Sequence, residues 1–342
     1  MPSPAVAGTG AATTAGAATP APGTRPGARR WAAWAAYVVV IPVLLYLTPH
    51  VYNNQLLLLN LVVYLVLAQG VNVIYGFTGY LPFGYVGFFG AGAYGTSMAV
   101  IHLHTGGTVA VLIGAVVSTA MAVVLLPLLR LTGAYFALAS LAASQAVYLV
   151  IANPSLTSFT KGPYGVDLSR VFNPNLAYLY AAILLAVATA VVVYLRNSAF
   201  GLSLRAVRAD PLTASVAGIN VARARGIAWL ASAVLAGLAG GISAWVTSVF
   251  YPETVFAINI SVFAIVFALF GGVGSVLGPV FGGIILYSLY EYIGVSSPQY
   301  FQFAYGLLIV ILMLFLPGGL ASVARAARSL WERTGGRVHR RA

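Results

Sequence analysis

The side chains able to carry reaction chemistry are few and far apart. Five carboxylates (Asp167, Asp210, Glu253, Glu291, Glu332), four histidines (His50, His102, His104, His339) and one lysine, Lys161, are spread over 342 residues that include no cysteine. Without cysteine there is no disulfide and no thiolate metal site. His102 and His104 form an H-x-H pair with no third ligand nearby in sequence, so no metal site is expected. Lys161 stands outside any G-x-x-x-x-G-K-[ST] loop, so the chain is expected to be no ATPase and to bind no cofactor of its own. No carboxylate or histidine falls at the centre of an apolar run, and Glu291 lies toward the end of one. That pattern disfavours a proton or sodium exchanger built on acids, while leaving sodium held by backbone carbonyls open.

The bulk composition explains why chemistry is so sparse. Apolar residues make up 61% of the chain, charged residues 6%, and the mean hydropathy is +0.94. A soluble domain carries about a quarter charged residues to keep its surface wetted. The net charge of +12 comes from sixteen arginines and one lysine against five acids. In a soluble protein that excess would suggest nucleic acid. Here the cations sit between apolar runs, where a membrane accounts for them and no nucleic-acid partner is needed.

A helix needs roughly 20 apolar residues to cross the hydrocarbon core. The candidates are Trp31–Leu47, Gln55–Tyr75, Phe83–Ile101, Val109–Leu129, Tyr135–Ile151, Leu176–Leu195, Ile227–Val249, Ala257–Phe270, Pro279–Ile293 and Phe301–Leu316. The expected fold is an all-α polytopic bundle of about ten helices (eight to ten), with residues 31–318 forming the membrane domain. The eighth and ninth runs are short, and Gly271–Gly278 joins them almost without a polar residue, so broken or re-entrant segments stay open. Residues 1–30, rich in Ala, Pro, Gly and Thr, read as a disordered tail, and residues 319–342 as a basic tail. An anchored first span is preferred to a cleaved leader, because the run is long and lacks a small-residue cleavage site. Placing both termini in the cytoplasm puts fifteen of seventeen cations inside and leaves Lys161 and Arg170 outside, which satisfies the positive-inside bias.

Two connections stand out. Residues 153–174, external in this topology, read from composition as a plain connecting loop. Residues 196–226 are internal. Leu202–Ala209 reads as a short helix with Arg205 and Arg208 on one face. Asp210-Pro211 is a helix start, and Gly218 a left-handed stop after Leu212–Ala217. The alternative is an interfacial loop of snorkelling side chains. Within the spans, Gly76-Phe77-Thr78-Gly79-Tyr80-Leu81-Pro82 breaks the chain and must face protein or a water-filled path. Ala233, Gly237 and Gly241, and then Gly274, Gly278 and Gly282, recur every fourth position as packing stripes.

The runs NVIYGFTGYLPFGYVGFFGAGAY (Asn72–Tyr94), TGAYFALAS (Thr132–Ser140), KGPYG (Lys161–Gly165), GLSLRAVRADPLTASVAGIN (Gly201–Asn220) and GGVGSVLGPVFGG (Gly271–Gly283) follow one another in order. Together they resemble the branched-chain amino acid ABC transporter permeases, in their longer LivM-type form, from about Leu56 to Gly319. The resemblance implies a multi-pass protein of the bacterial cytoplasmic membrane that works with a paralogous permease in a heterodimer. It further implies two cytoplasmic ATPases, which use ATP and magnesium, and an extracytoplasmic solute-binding protein. It makes residues 196–226 the coupling loop, with Pro211–Gly218 seated in an ATPase groove and Arg205 and Arg208 paired to acids there. Where the family commonly has an acid, this chain has Pro211, so Asp210 is the loop's only acid. The polar groups offered to a zwitterionic solute are Gln69, Asn72, Thr78, Tyr85, Ser140 and Gln145, each of which can equally serve an interhelical hydrogen bond. A permease for urea or short amides, and an ion-coupled secondary transporter, are the alternatives.

Overall fold

The computed structural model describes residues 54–296, and outside that stretch only Val43, Phe303, Gly306, Leu307 and Val310. The first and tenth expected spans, both tails and the placement of the termini lie outside the described residues.

The protein is an all-α, multi-pass membrane protein. Seven segments among the described residues are long and apolar enough to cross a membrane. The first is α1, Gln55–Val71, continued by a π-helical turn over Asn72–Gly76. Then come α2 (Tyr85–Leu103), α3 (Gly107–Val124), α4 (Gly133–Ile151) and α5 (Pro174–Asn197). Two short helices, α6 (Ala199–Ala209) and α7 (Pro211–Val216), lead to the 27-residue α8 (Val221–Thr247). The seventh segment is Pro252–Gly271, a short turn followed by α9 (Ile258–Gly271). An eighth long helix, α10 (Gly278–Ser296), covers the ninth expected run.

Glycine sets the packing. Lipid tails are as apolar as leucine, so helices in a membrane gain from close van der Waals approach rather than from burial itself. A methyl at Gly92 on α2 would lie 2.1 Å from the Gly237 carbonyl oxygen on α8. One at Gly240 would lie 1.9 Å from the Phe89 carbonyl oxygen, and one at Gly237 2.4 Å from Cβ of Ser118 on α3. Helices α2, α3 and α8 therefore meet backbone to backbone. Trp229 locks the seam, its indole donating to the Ala122 carbonyl at 3.0 Å while its ring meets Phe88 edge-on. A second group forms where Tyr64 of α1 packs against Phe263 and Phe267 of α9 and Tyr287 of α10, with centroids 5.7–5.9 Å apart.

The second glycine stripe is not helical throughout. Gly274 sits in the loop between α9 and α10 with φ +78°, a left-handed backbone that favours glycine. Only Gly278 and Gly282 pack as helix residues, a methyl at Gly282 falling 2.5 Å from the Gly271 nitrogen. The α9–α10 hairpin starts after the β2 strand (Val249–Phe250), and its loop reaches the π turn after α1 at Asn72 and Gly76.

The segment 153–174 is more ordered than its composition suggests. β1 (Val166–Asp167) pairs antiparallel with β2, Val166 opposite Phe250. The Trp245 indole donates to the Val171 carbonyl at 2.5 Å, tying the segment to the end of α8. Asp167, on the surface, caps the following turn by accepting from the Ser169 amide at 2.8 Å, and these bonds hold its carboxyl below the usual range.

Candidate functional site

At the end of α1 on the arginine-rich side, the helix widens into the π turn and leaves Asn72 and Gln69 facing the α9–α10 loop. π turns of this kind recur at functional sites. Both side chains are fully buried. The Asn72 amide donates to the Ser275 carbonyl at 2.8 Å and accepts from the Gly274 amide at 2.7 Å. Gln69 donates to the Val276 carbonyl at 2.8 Å and accepts from Asn72 at 3.3 Å. Two side chains thereby satisfy three successive peptide groups of a loop that has no helical partners. Gly76 must be glycine here, since a methyl would lie 2.8 Å from the Gly274 nitrogen and 2.3 Å from Oδ1 of Asn72. Thr78 turns inward and donates to the Ile74 carbonyl at 2.6 Å.

The segment 196–226 lands on this clasp. Arg208 of α6 donates to the Gly76 carbonyl, and its guanidinium lies 5.7 Å from the Tyr75 ring centroid. Arg205 goes elsewhere, folding back onto the Gly201 and Arg196 carbonyls at 3.3 Å each. The two arginines expected to act together are thus divided: both are exposed, but one reaches the Gly76 carbonyl and the other folds back on its own segment. Asp210 caps α7, accepting from the Thr213 hydroxyl and from the Leu212 amide at 2.9 Å. Those bonds, the Thr213 hydroxyl first, lower its carboxyl pKa although it is solvent-exposed. Gly218 ends the segment at φ +85°. Helix α7 leaves Leu212 75% and Val216 84% exposed, one turn apart. An apolar pair this exposed on a polar-side helix marks a contact surface.

The remaining candidates lie apart from the clasp. The buried Tyr85 hydroxyl donates to the Ser232 carbonyl at 2.9 Å, and the Ser232 hydroxyl to the Gly70 carbonyl at 2.9 Å, so α2, α8 and α1 are cross-linked. Ser140 accepts from the Gly84 amide at 3.1 Å and donates to the Ala137 carbonyl. Pro82 is buried, and its carbonyl accepts from the Tyr85 amide at 3.2 Å. Gly79 adopts φ +80°. The break from Gly76 to Pro82 therefore faces protein almost throughout. Gly237 and Gly241 belong to the α8 seam, where a methyl on Gly241 would lie 2.5 Å from the Thr96 hydroxyl. Gln145 differs from the other polar candidates: its amide nitrogen is buried without a hydrogen-bond partner among the described residues, and so is the Tyr94 hydroxyl.

Tyr94 was not among the sequence candidates. It lies midway along α2, beside an apolar recess of about 430 Å³ between α2, α3 and α4 that Met98, Met121, Val147, Ile151 and Phe159 also line. Nothing in an aromatic on a glycine-rich helix distinguishes it in sequence; only the missing partner does.

Comparison with known proteins places these features in context. Residues 55–313 match the family described as branched-chain amino acid transport system, permease component. The high-affinity branched-chain amino acid transport system permease protein LivM of Salmonella typhimurium is 26% identical over 295 residues, covering 77% of this chain and 68% of that protein. The LivM protein of Escherichia coli matches to the same extent. LivH of Escherichia coli, a permease of the same transport system, is 27% identical over 171 residues, 48% of this chain and 54% of its own. No solved structure matches.

Proposed function

On the premise that the chain belongs to the family of branched-chain amino acid transport system permease components, we propose that it is the membrane subunit of an ATP-driven importer. Its solutes are branched-chain or related hydrophobic amino acids. It works with a second permease subunit, cytoplasmic ATPases that bind and hydrolyse ATP, and an extracytoplasmic binding protein. The chain itself lies in the bacterial cytoplasmic membrane and crosses it several times.

The observation that carries this reading is the route from the α7 surface to the core. Leu212 and Val216 offer an ATPase an apolar contact, Asp210 fixes the α6–α7 corner, and Arg208 delivers movement of that corner to Gly76 and so to the clasp at Asn72. Interfaces and packed cores are bistable rather than continuously deformable, so a push at such a joint is converted into a discrete shift of helices. Arg208 acts within the permease, and Arg205 is the cation that faces an ATPase. The apolar recess suits an aliphatic side chain, and Tyr94, whose hydroxyl has no partner among the described residues, is the polar residue we assign to a solute there. Gln69, Asn72, Tyr85 and Ser140 serve the scaffold, since their hydrogen bonds are already taken.

Reconstitution into proteoliposomes with a second permease subunit, ATPases and a binding protein tests the reading. Leucine uptake that needs ATP inside the cytoplasmic-face compartment supports it. Uptake that collapses with an ionophore at constant ATP would assign an ion-coupled transporter instead, and uptake of urea alone would reassign the solute.

A further inference from the structure

A groove of about 610 Å³ opens on the arginine-rich side between the 3-10 turn Leu126–Arg130, which follows α3, and the first turns of α8. Three guanidinium groups line it: Arg130, Arg223 and Arg225. Its walls are aliphatic, from Leu126, Leu129, Ile227 and Leu230. Arg225 is held in place by stacking on Tyr80, 4.5 Å from the ring centroid, and its Nε is buried with no protein acceptor among the described residues. None of the described acids (Asp167, Asp210, Glu253, Glu291) pairs with these three arginines. Val221 and Ala222, in the first turn of a 27-residue helix and so near its positive end, border the same space.

Three cations in one groove call for an anion, and the groove's lower wall says which kind. Ile227 is 42% exposed and, with Leu126 and Leu230, continues into the membrane-spanning part of α8 and α3. A free phosphate or nucleotide has no use for that wall; a lipid does. An acidic loop of the ATPase is a rival, but the exposed apolar pair for protein contact lies on α7, on Leu212 and Val216. We propose that this groove binds an anionic phospholipid, the phosphate held by Arg130, Arg223 and Arg225 and an acyl chain laid along Leu126, Ile227 and Leu230. Basic pockets between membrane helices on the cytoplasmic face hold lipid headgroups by this combination of charge and apolar wall.

The full chain, purified in mild detergent, is supplied with equal amounts of phosphatidylglycerol and phosphatidylcholine, and bound lipid is read by native mass spectrometry. The wild type retains phosphatidylglycerol selectively. The R130Q/R225Q variant binds it about fivefold more weakly for each arginine removed, following the ~1 kcal/mol that one cation contributes near an anionic surface. R205Q, which removes a cation on the same side outside the groove, retains lipid like the wild type. Should R130Q/R225Q fail to fold, the wild type still decides the matter. Short-chain phosphatidylglycerol raises its melting temperature, and inorganic phosphate at the same concentration does not. Equal lipid retention by the wild type and the folded variant overturns the proposal, as does a matching loss in R205Q. A phosphate shift equal to the lipid's would make the groove a soluble-anion site. Unchanged lipid retention with lost ATPase association would give it to the protein partner.

Discussion

Asn72 and Gly274, about two hundred positions apart in the chain, are joined by a hydrogen bond of 2.7 Å in which the glycine amide donates to the asparagine side chain. The same side chain donates to the next carbonyl, that of Ser275. This clasp closes the α9–α10 hairpin onto the end of α1, directly under the contact made by Arg208.

Asn72→Ala leaves two buried backbone groups without partners. Each such group costs about 1–3 kcal/mol, so a loss of roughly 3 kcal/mol is expected, seen as a lowered melting temperature in detergent. Asn72→Asp sets a buried carboxylate against the Ser275 carbonyl and the Gln69 side-chain oxygen, and is expected to destabilise at least as much as the alanine.

Gly240→Ala places a methyl 1.9 Å from the Phe89 carbonyl oxygen, a backbone atom that cannot step aside. Overpacking of this kind costs about 1–3 kcal/mol. Gly106→Ala, which meets nothing within 4 Å, is expected to leave the melting temperature unchanged. The paired thermal unfolding curves check both.

Replacing Leu212 and Val216 together by Asp is expected to leave folding intact, because both side chains are largely exposed. Co-purification of the ATPase should then be lost. Arg208→Ala is expected to act differently: the ATPase still binds and hydrolyses ATP, while the number of solutes moved per ATP falls. Pull-down and coupled uptake separate these outcomes.

The pH dependence of α7 follows from Asp210. Its folded pKa is lowered, so its contribution to stability is present above the ordinary carboxylate pKa of about 4 and disappears as pH falls through the lower, folded value. Asp210→Asn keeps the cap but lacks the charge. The melting-temperature difference between wild type and D210N should therefore shrink toward zero in acid, and be largest near neutral pH.

Much of this was legible because it is local. Asp210-Pro211 and Gly218 fix the corner of the internal loop through caps that involve neighbours only, and the structure forms them where the residues stand. Seven of the ten apolar runs emerge as helical segments long and apolar enough to cross a membrane, and an eighth as the helix α10, because length and hydropathy suffice to define them. What the sequence hid is long-range. Gly274 shares the fourfold spacing of Gly278 and Gly282, yet it is a loop residue held by Asn72, and no periodicity distinguishes the two roles. The same holds for the segment 153–174, whose order comes from Val249, Phe250 and Trp245 far along the chain. Arg205 and Arg208 share a helix face by spacing, and only the position of Gly76 decides that one of them turns inward.

The central claim is that ATP hydrolysis on one face of the membrane moves an aliphatic amino acid through this chain by way of the α6–α7 corner. The direct measurement is uptake of labelled leucine into proteoliposomes holding the complete transporter, with ATP supplied on the arginine-rich side, compared between wild type and the L212D/V216D variant. The account predicts ATP-dependent uptake by the wild type and none by the variant. Equal uptake by both, or uptake that proceeds without ATP, would contradict it.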